Sequence, residues 1–296
     1  MPQPIVSFLI ILKLKCENVV LKMNISNASI LTEFGQGNKI QSSASKQILD
    51  KSLIPKCNIL GVGIAAINMK WLIEYLSENI NDLSGEYIVV SNVHTTVMSY
   101  EDPSYCEIQN NAFLAIPDGG PLSTIGKKRG FQHMDRTTGP DLMDEVFKIS
   151  VENKHTHYFY GSTNETLNGL KITLEEKYPG IIIKGMCSPP FRQLTDEENS
   201  EVTININKVS PDFIWVGLGA PKQEKWMAAN QGKVNGLMIG VGAGFDYFAG
   251  KIRRAPMWMQ KNNLEWLYRL LQDPKRLFIR YLRTNPKFLW LIARRK

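Results

Sequence analysis

Only four cysteines occur in 296 residues, Cys16, Cys57, Cys106 and Cys187, and no two form a CxxC pair. That excludes a dense disulfide framework and fits reduced thiols in a cytoplasmic protein better than a zinc site. Long apolar runs are also lacking. The densest, Ile5 to Leu12, spans eight residues, whereas a hydrocarbon layer takes about 20. No Lys or Arg precedes it and no small-residue cleavage site follows, so it reads poorly as a signal peptide. Neither a GxxxxGK[ST] P-loop nor a complete GxGxxG occurs, which argues against a nucleotide-sugar epimerase or dehydrogenase. No cluster of His, Cys and acids has the spacing of a metal site.

What is present is ordinary globular material: 43% apolar residues, 21% charged, 22 glycines and 15 prolines. Low-complexity and collagen-like classes are excluded, and the length suits one large domain or two small ones. The net charge of +7 is unevenly placed. Residues 251–296 hold 13 Lys and Arg against two acids, Glu265 and Asp273, a net of +11; the rest nets −4. Three of the six tryptophans, Trp258, Trp266 and Trp290, lie in this tail. Basic residues interleaved with large aromatics suit an anionic surface, either lipid headgroups or nucleic acid. The alternative is a solvated helix packed on the body by its apolar face. No recognised RNA- or DNA-binding signature accompanies the tail, which counts against a nucleic-acid partner.

Residues 1–50 read as a weakly ordered extension, polar from Asn24 to Ser52. Met23 is an alternative translation start; native peptides from residues 1–22 would exclude it. Beyond Cys57, strands and helices alternate. Strands are expected at Asn58–Val62, Tyr87–Ser91, Phe113–Ile116, His157–Tyr160, Ile181–Ile183, Phe213–Val216 and Leu237–Ile239. Helices are expected at Asn68–Glu78, at Pro140–Ser150, from Asn164 to about Lys177 and from about Gln223. This alternation predicts an α/β fold, a mostly parallel Rossmann-like sheet with helices on both faces. The organisation expected is an extension over 1–50, a catalytic domain over 51–250 and a basic amphipathic appendage over 251–296.

In such sheets, ligands bind beyond the carboxyl ends of the strands. Four turns fall there: Asn92, Asp118-Gly119-Gly120, Gly161-Ser162-Thr163 and Gly217-Leu218-Gly219. Glycines admit a ligand close to the backbone, and N–H groups opening the next helix can receive phosphate oxygens. Asp118 follows an apolar strand and precedes two glycines, a place that suits a general base; its other reading is a cap on the following turn. His94 is an acid–base or binding candidate, or simply a polar loop residue. His155 and His157 sit at a strand entrance, at the wrong end for the site. Glu101 and Asp102 read as solvent-facing loop charge.

Several segments together carry a resemblance. They are Ser91-Asn-Val-His-Thr95, Pro117-Asp-Gly-Gly-Pro-Leu122, Arg136-Thr-Thr-Gly-Pro-Asp-Leu-Met143, Gly217-Leu-Gly-Ala-Pro-Lys-Gln-Glu-Lys-Trp226, Gly240-Val-Gly-Ala-Gly-Phe-Asp246 and Leu264-Glu-Trp-Leu-Tyr-Arg-Leu-Leu271. In this order and spacing the chain resembles the WecG/TagA/CpsF glycosyltransferases, family GT26, from about Cys57 to Ile292. The resemblance implies a GT-E-like fold and a cofactor-free, metal-independent, inverting transferase. It implies transfer of N-acetylmannosamine or a related hexose from a UDP-sugar to an undecaprenyl-diphosphate-linked saccharide. That chemistry serves capsule, exopolysaccharide or teichoic-acid-type polymers at the inner face of the cell membrane. Asp118 matches the proposed base, and Asn92 an active-site polar residue. Arg136 and Gln223 match pocket residues. Arg269, Arg276 and Arg280 are candidate diphosphate ligands on a membrane-docking appendage. Val90 replaces the family's Thr two residues before Asn92, and Ser188-Pro-Pro-Phe-Arg192 resembles the capsule and exopolysaccharide branch. With Arg283, the tail arginines would form one stripe on a continuous helix, which Pro274 is expected to break or kink.

Overall fold

Fully apolar strands alternating with amphipathic helices must bury both faces of a sheet. The computed structural model describes residues 51–294; the expectations for residues 1–50 lie outside them. The strands are β1 Lys56–Ile59, β2 Val62–Ala65, β3 Tyr87–Ser91, β4 Leu114–Pro117, β5 Thr156–Gly161, β6 Ile182–Cys187, β7 Phe213–Gly217 and β8 Leu237–Gly240. They form one sheet in the order β1-β2-β4-β3-β8-β7-β5-β6. Only β1 and β2 pair antiparallel; every other neighbour is parallel. The helices are α1 Met69–Asn79, α2 Val93–Glu101, α3 Pro103–Asn111, α4 Gly120–Lys128, α5 Gly139–Asn153, α6 Asn164–Lys177, α7 Asp196–Val209, α8 Lys222–Asn230, α9 Gly244–Phe248, α10 Met257–Lys261, α11 Glu265–Gln272 and α12 Pro274–Arg294.

One sheet face packs Leu72 and Leu76 of α1, Val146 and Phe147 of α5, and Leu167 and Leu170 of α6. The other packs Val97 of α2, Leu122 of α4, Met227 of α8, and Phe288 and Leu291 of α12. Helix starts follow the sequence: Asn68, Thr138 and Thr163 accept from backbone N–H groups of the first turn, and Asn92 forms a capping box with Thr95.

Three expectations are corrected. Asn58–Val62 is not one strand but the end of β1, a turn and the start of β2, because Leu60 (φ 55°) and Gly61 (φ 97°) both take left-handed backbone. Helices α2, α3, α4 and α7 lie where no element was expected. Helices α2 and α3 have nine residues with little apolar period, α7 has a mostly polar sequence, and α4 is short and opens on Gly120-Pro121. Glu101 and Asp102 face solvent as expected, yet they sit at helix ends rather than in a loop. Glu101 pairs with Lys287 of α12 at 2.5 Å, and Asp102 caps α3 by accepting from Ser104 N and Tyr105 N.

The helix break at Pro274 is present: α11 ends at Gln272 and Pro274 opens α12. Helix α12 is three-sided. Leu277, Thr284, Phe288 and Leu291 are buried. Phe278, Ile279, Leu282, Leu289 and Trp290 are exposed on roughly the opposite side, and Arg276, Arg280, Arg283 and Lys287 run between them.

The strand mouths are held close together. A Cβ at Gly161 (φ +128°) would lie 2.6 Å from the Gly217 backbone. We expect Gly161→Ala to destabilise the protein by about 2 kcal/mol or more, seen as a lower denaturation midpoint. An unchanged midpoint would mean that the β5 and β7 mouths can part without cost.

Candidate active site

The residues singled out by the sequence gather at the adjacent mouths of β4, β3, β8 and β7. The turn after β4 is fixed from both sides: Asp118 N donates to Ser91 O, and Thr137 N to Pro117 O, each at 2.7 Å. Helix α4 has no side-chain cap, so Asp118 is not spent on the turn that follows it. Its carboxylate instead accepts from Asn92 Nδ2 at 3.5 Å, a long contact. Asn92 Oδ1 meanwhile accepts from His94 N and Thr95 N. Burial, then the negative charge of Glu265, raises the Asp118 pKa to about 6. Arg136, the Asn92 contact and Arg269 pull the other way. The result is a carboxylate that is ionised at neutral pH yet unusually basic.

Gln223 belongs to the β7–β8 side. Its Oε1 accepts from Gly219 N at 3.1 Å and Gly242 N at 3.0 Å, while Nε2 donates to the buried Glu224 carboxylate at 2.8 Å. The Gly219 N–H, in a turn expected to meet phosphate, is thus directed to Gln223, as is the Gly242 N–H. Gln223 is itself buried and ties the two glycine turns together. Glu224 fixes which end of the amide faces them.

Arg136 pairs with Glu265 at 2.7 Å and with Asp141 at 3.3 Å. Arg254 pairs with the same two acids, at 2.8 Å to Asp141 and 3.3 Å to Glu265. Arg254 and Arg269 both stack on the Tyr247 ring. Arg269 is within electrostatic reach of Asp118 and Asp246. Arg276 is bound to Asp273 at 2.6 Å and also faces Asp246. Arg280 lies by His94, whose pKa is lowered to about 4, chiefly by burial, so that it is neutral. The structure therefore brings Asp118, Asn92, Arg136 and Arg269 together. Gln223 stands in the wall of the neighbouring mouths, and Arg276 and Arg280 lie further along the tail. His157 is buried among aromatics and accepts from Trp215 Nε1, away from the site. Glu265 was visible in the sequence as one of two acids among 13 basic residues; Tyr247, Asp141 and Glu224 carried no such signal.

A basic carboxylate beside guanidinium groups suits enzymes that deprotonate a nucleophile next to an anionic leaving group. The chain belongs to the Glycosyl transferase WecG/TagA/CpsF family, which matches residues 57–296. Among its relatives are N-acetylglucosaminyldiphosphoundecaprenol N-acetyl-beta-D-mannosaminyltransferases of Staphylococcus aureus strains MW2, NCTC 8325 and COL. Each is 31% identical over 253 residues, covering 83% of this chain and 96% of the relative. The protein is a glycosyltransferase.

Removing Gln223 leaves Gly219 N and Gly242 N without their acceptor. Gln223→Ala should therefore cost about 2 kcal/mol of stability and lower transfer per folded molecule, read by denaturation and by activity at matched folded concentration. Full activity with an unchanged midpoint would show that the two turns hold themselves.

Proposed function

We propose that the enzyme transfers N-acetylmannosamine, or a related hexose, from a UDP-sugar to a saccharide carried on a polyprenyl diphosphate, with inversion at the anomeric carbon. The observation that carries this reading is Asp118: uncapped, basic and flanked by cations at a strand mouth. Asp118 takes the proton of the acceptor hydroxyl as that oxygen bonds the anomeric carbon. The bond from that carbon to UDP breaks on the opposite face, and the electron pair leaves with the diphosphate. Arg269 is placed to stabilise this charge, with Arg276 and Arg280 on the tail as further ligands. Asn92 orients the base. The relatives named above support the sugar and the lipid-linked acceptor.

Attachment to an anionic membrane surface belongs to the same reading. Nine of the fourteen exposed large apolar side chains among the described residues lie between Met257 and Trp290, five of them on α12 with its basic flank. No helix of the described residues is long and apolar enough to cross a membrane. A helix lying in the headgroup plane satisfies both its faces. On this reading the enzyme works at the inner leaflet, where lipid-linked acceptors and nucleotide sugars meet.

Asp118→Asn should keep fold and UDP binding but lower transfer about 10²–10⁴-fold, measured as UDP release with a short-chain prenyl-diphosphate acceptor and a panel of UDP-sugars. In the wild type, activity should fall as pH drops through about 6, since protonation removes the base. Near-normal turnover of the variant would end the proposal.

Phe278→Ser combined with Leu282→Ser should release the protein from anionic liposomes without unfolding it, since both side chains are exposed. Sedimentation that persists unchanged would assign attachment elsewhere.

A further inference from the structure

Two carboxylates and two guanidiniums meet between the body and the tail. Glu265 is the tail's only acid in this group. Its side chain is 16% exposed and spans Arg136 of the body and Arg254 at the tail's root. Two residues earlier, Asn263 lies over the catalytic turn: a Cβ on Gly120 would sit 1.9 Å from Asn263 Oδ1. The tail is thus fastened over Asp118-Gly119-Gly120 at the point where Glu265 pairs. As an adhesive this is a poor choice, because desolvation offsets much of the gain from a partly buried ion pair. An apolar contact would hold the tail as well.

The charges around Asp118 give the acid a second task. Asn92 faces it from the β3 mouth, Arg136 from the loop before α5, Tyr247 from α9, and Arg269 and Glu265 from α11. Without Glu265, the charges left facing Asp118 would be those of the two arginines, and a carboxylate between cations holds its proton weakly. Arg136 would also be left with Asp141 as its one carboxylate partner.

We infer that Glu265 is a positioning residue for the transfer step: it fastens the tail over the Asp118 turn through Arg136 and Arg254, and its charge offsets the cations that face the base. This rests on the reading of Asp118 as the base. In this role Glu265 acts through Asp118 and the tail rather than on the reacting atoms.

The test compares pH–rate profiles of full-length wild type, Asp118→Asn, Glu265→Gln and Glu265→Asp, using the short-chain acceptor so that membrane contact plays no part. Glu265→Gln keeps the shape and loses the charge. Its acid limb should move to lower pH by about half a unit or more, and kcat on the plateau should fall about threefold or more as the base weakens, with little change in donor KM. A lower melting temperature with wild-type limb and kcat would overturn the inference and leave Glu265 a structural tie. Should Glu265→Gln fail to fold, Glu265→Asp decides: a reduced kcat at unchanged donor KM supports the inference, and wild-type kcat overturns it. Asp118→Asn separates the two failures. If that variant stays active, the reading of Asp118 is wrong; if it is dead and Glu265→Gln behaves as wild type, only the role of Glu265 falls.

Discussion

Strand direction governs the rest of this molecule. Strands β2 to β8 all run parallel, so their carboxyl ends share one edge. Backbone there must leave the sheet, and its polar groups need partners. The turns after β4, β3, β8 and β7 are consequently where glycines, caps and carboxylates gather. Asp118, Asn92 and Gln223 are neighbours because four adjacent strands end together, although 131 positions separate Asn92 from Gln223. The helices fix their heights. The capping box of Asn92 sets the start of α2, and the Gln223 amide joins two mouths across α8.

The tail is part of this construction. Phe288 and Leu291 of α12 complete the core on one sheet face, so the helix cannot leave without opening apolar surface. The face opposite, with Phe278, Ile279, Leu282, Leu289 and Trp290, is exposed and open to another task. Exposed aromatics and a flank of arginines on a helix already anchored by its third side give a surface that is rigid before it meets anything. That rigidity limits the ordering cost of binding. Both acids of the tail serve local geometry: Asp273 holds the first turn of α12 through Arg276, and Glu265 meets the body.

Much of this was legible in the sequence. Apolar period and β-branched runs give β3, β5, β7 and β8 nearly to the residue, and Asp118 stands out by its place after a strand and before two glycines. The hairpin at Leu60-Gly61 escaped because an apolar residue occupies a left-handed position and reads as strand interior. The short helices α2 and α3 escaped because their nine residues carry too little period, and α4 because it is short and opens on Gly120-Pro121. What no single sequence could give is the pairing of Arg136 with Glu265, 129 positions apart. It depends on the turn between α10 and α11, where Asn263 takes left-handed backbone. Likewise Gln223 looks like a pocket residue by position, yet its polar atoms are turned toward backbone and Glu224.

On the proposed reading, the site must both accept a proton and release a diphosphate, and so faces opposing electrostatic demands. Cations that stabilise the leaving group lower the proton affinity of any carboxylate near them, and the tail brings a net charge of +11. Distance resolves part of the conflict: Arg276 and Arg280 lie along the tail rather than against Asp118. Compensation resolves more of it. Arg136 is held by Asp141 and Glu265, and Arg269 faces Asp246 as well as Asp118 while stacking on Tyr247. Screening would not do the same work, because it acts over roughly 10 Å in 0.1 M salt and little inside a partly buried cluster. Placing acids among the arginines keeps positive charge available at the mouth while Asp118 stays basic. The same arrangement makes a tail that is basic overall compatible with a neighbouring turn whose proposed role depends on one carboxylate.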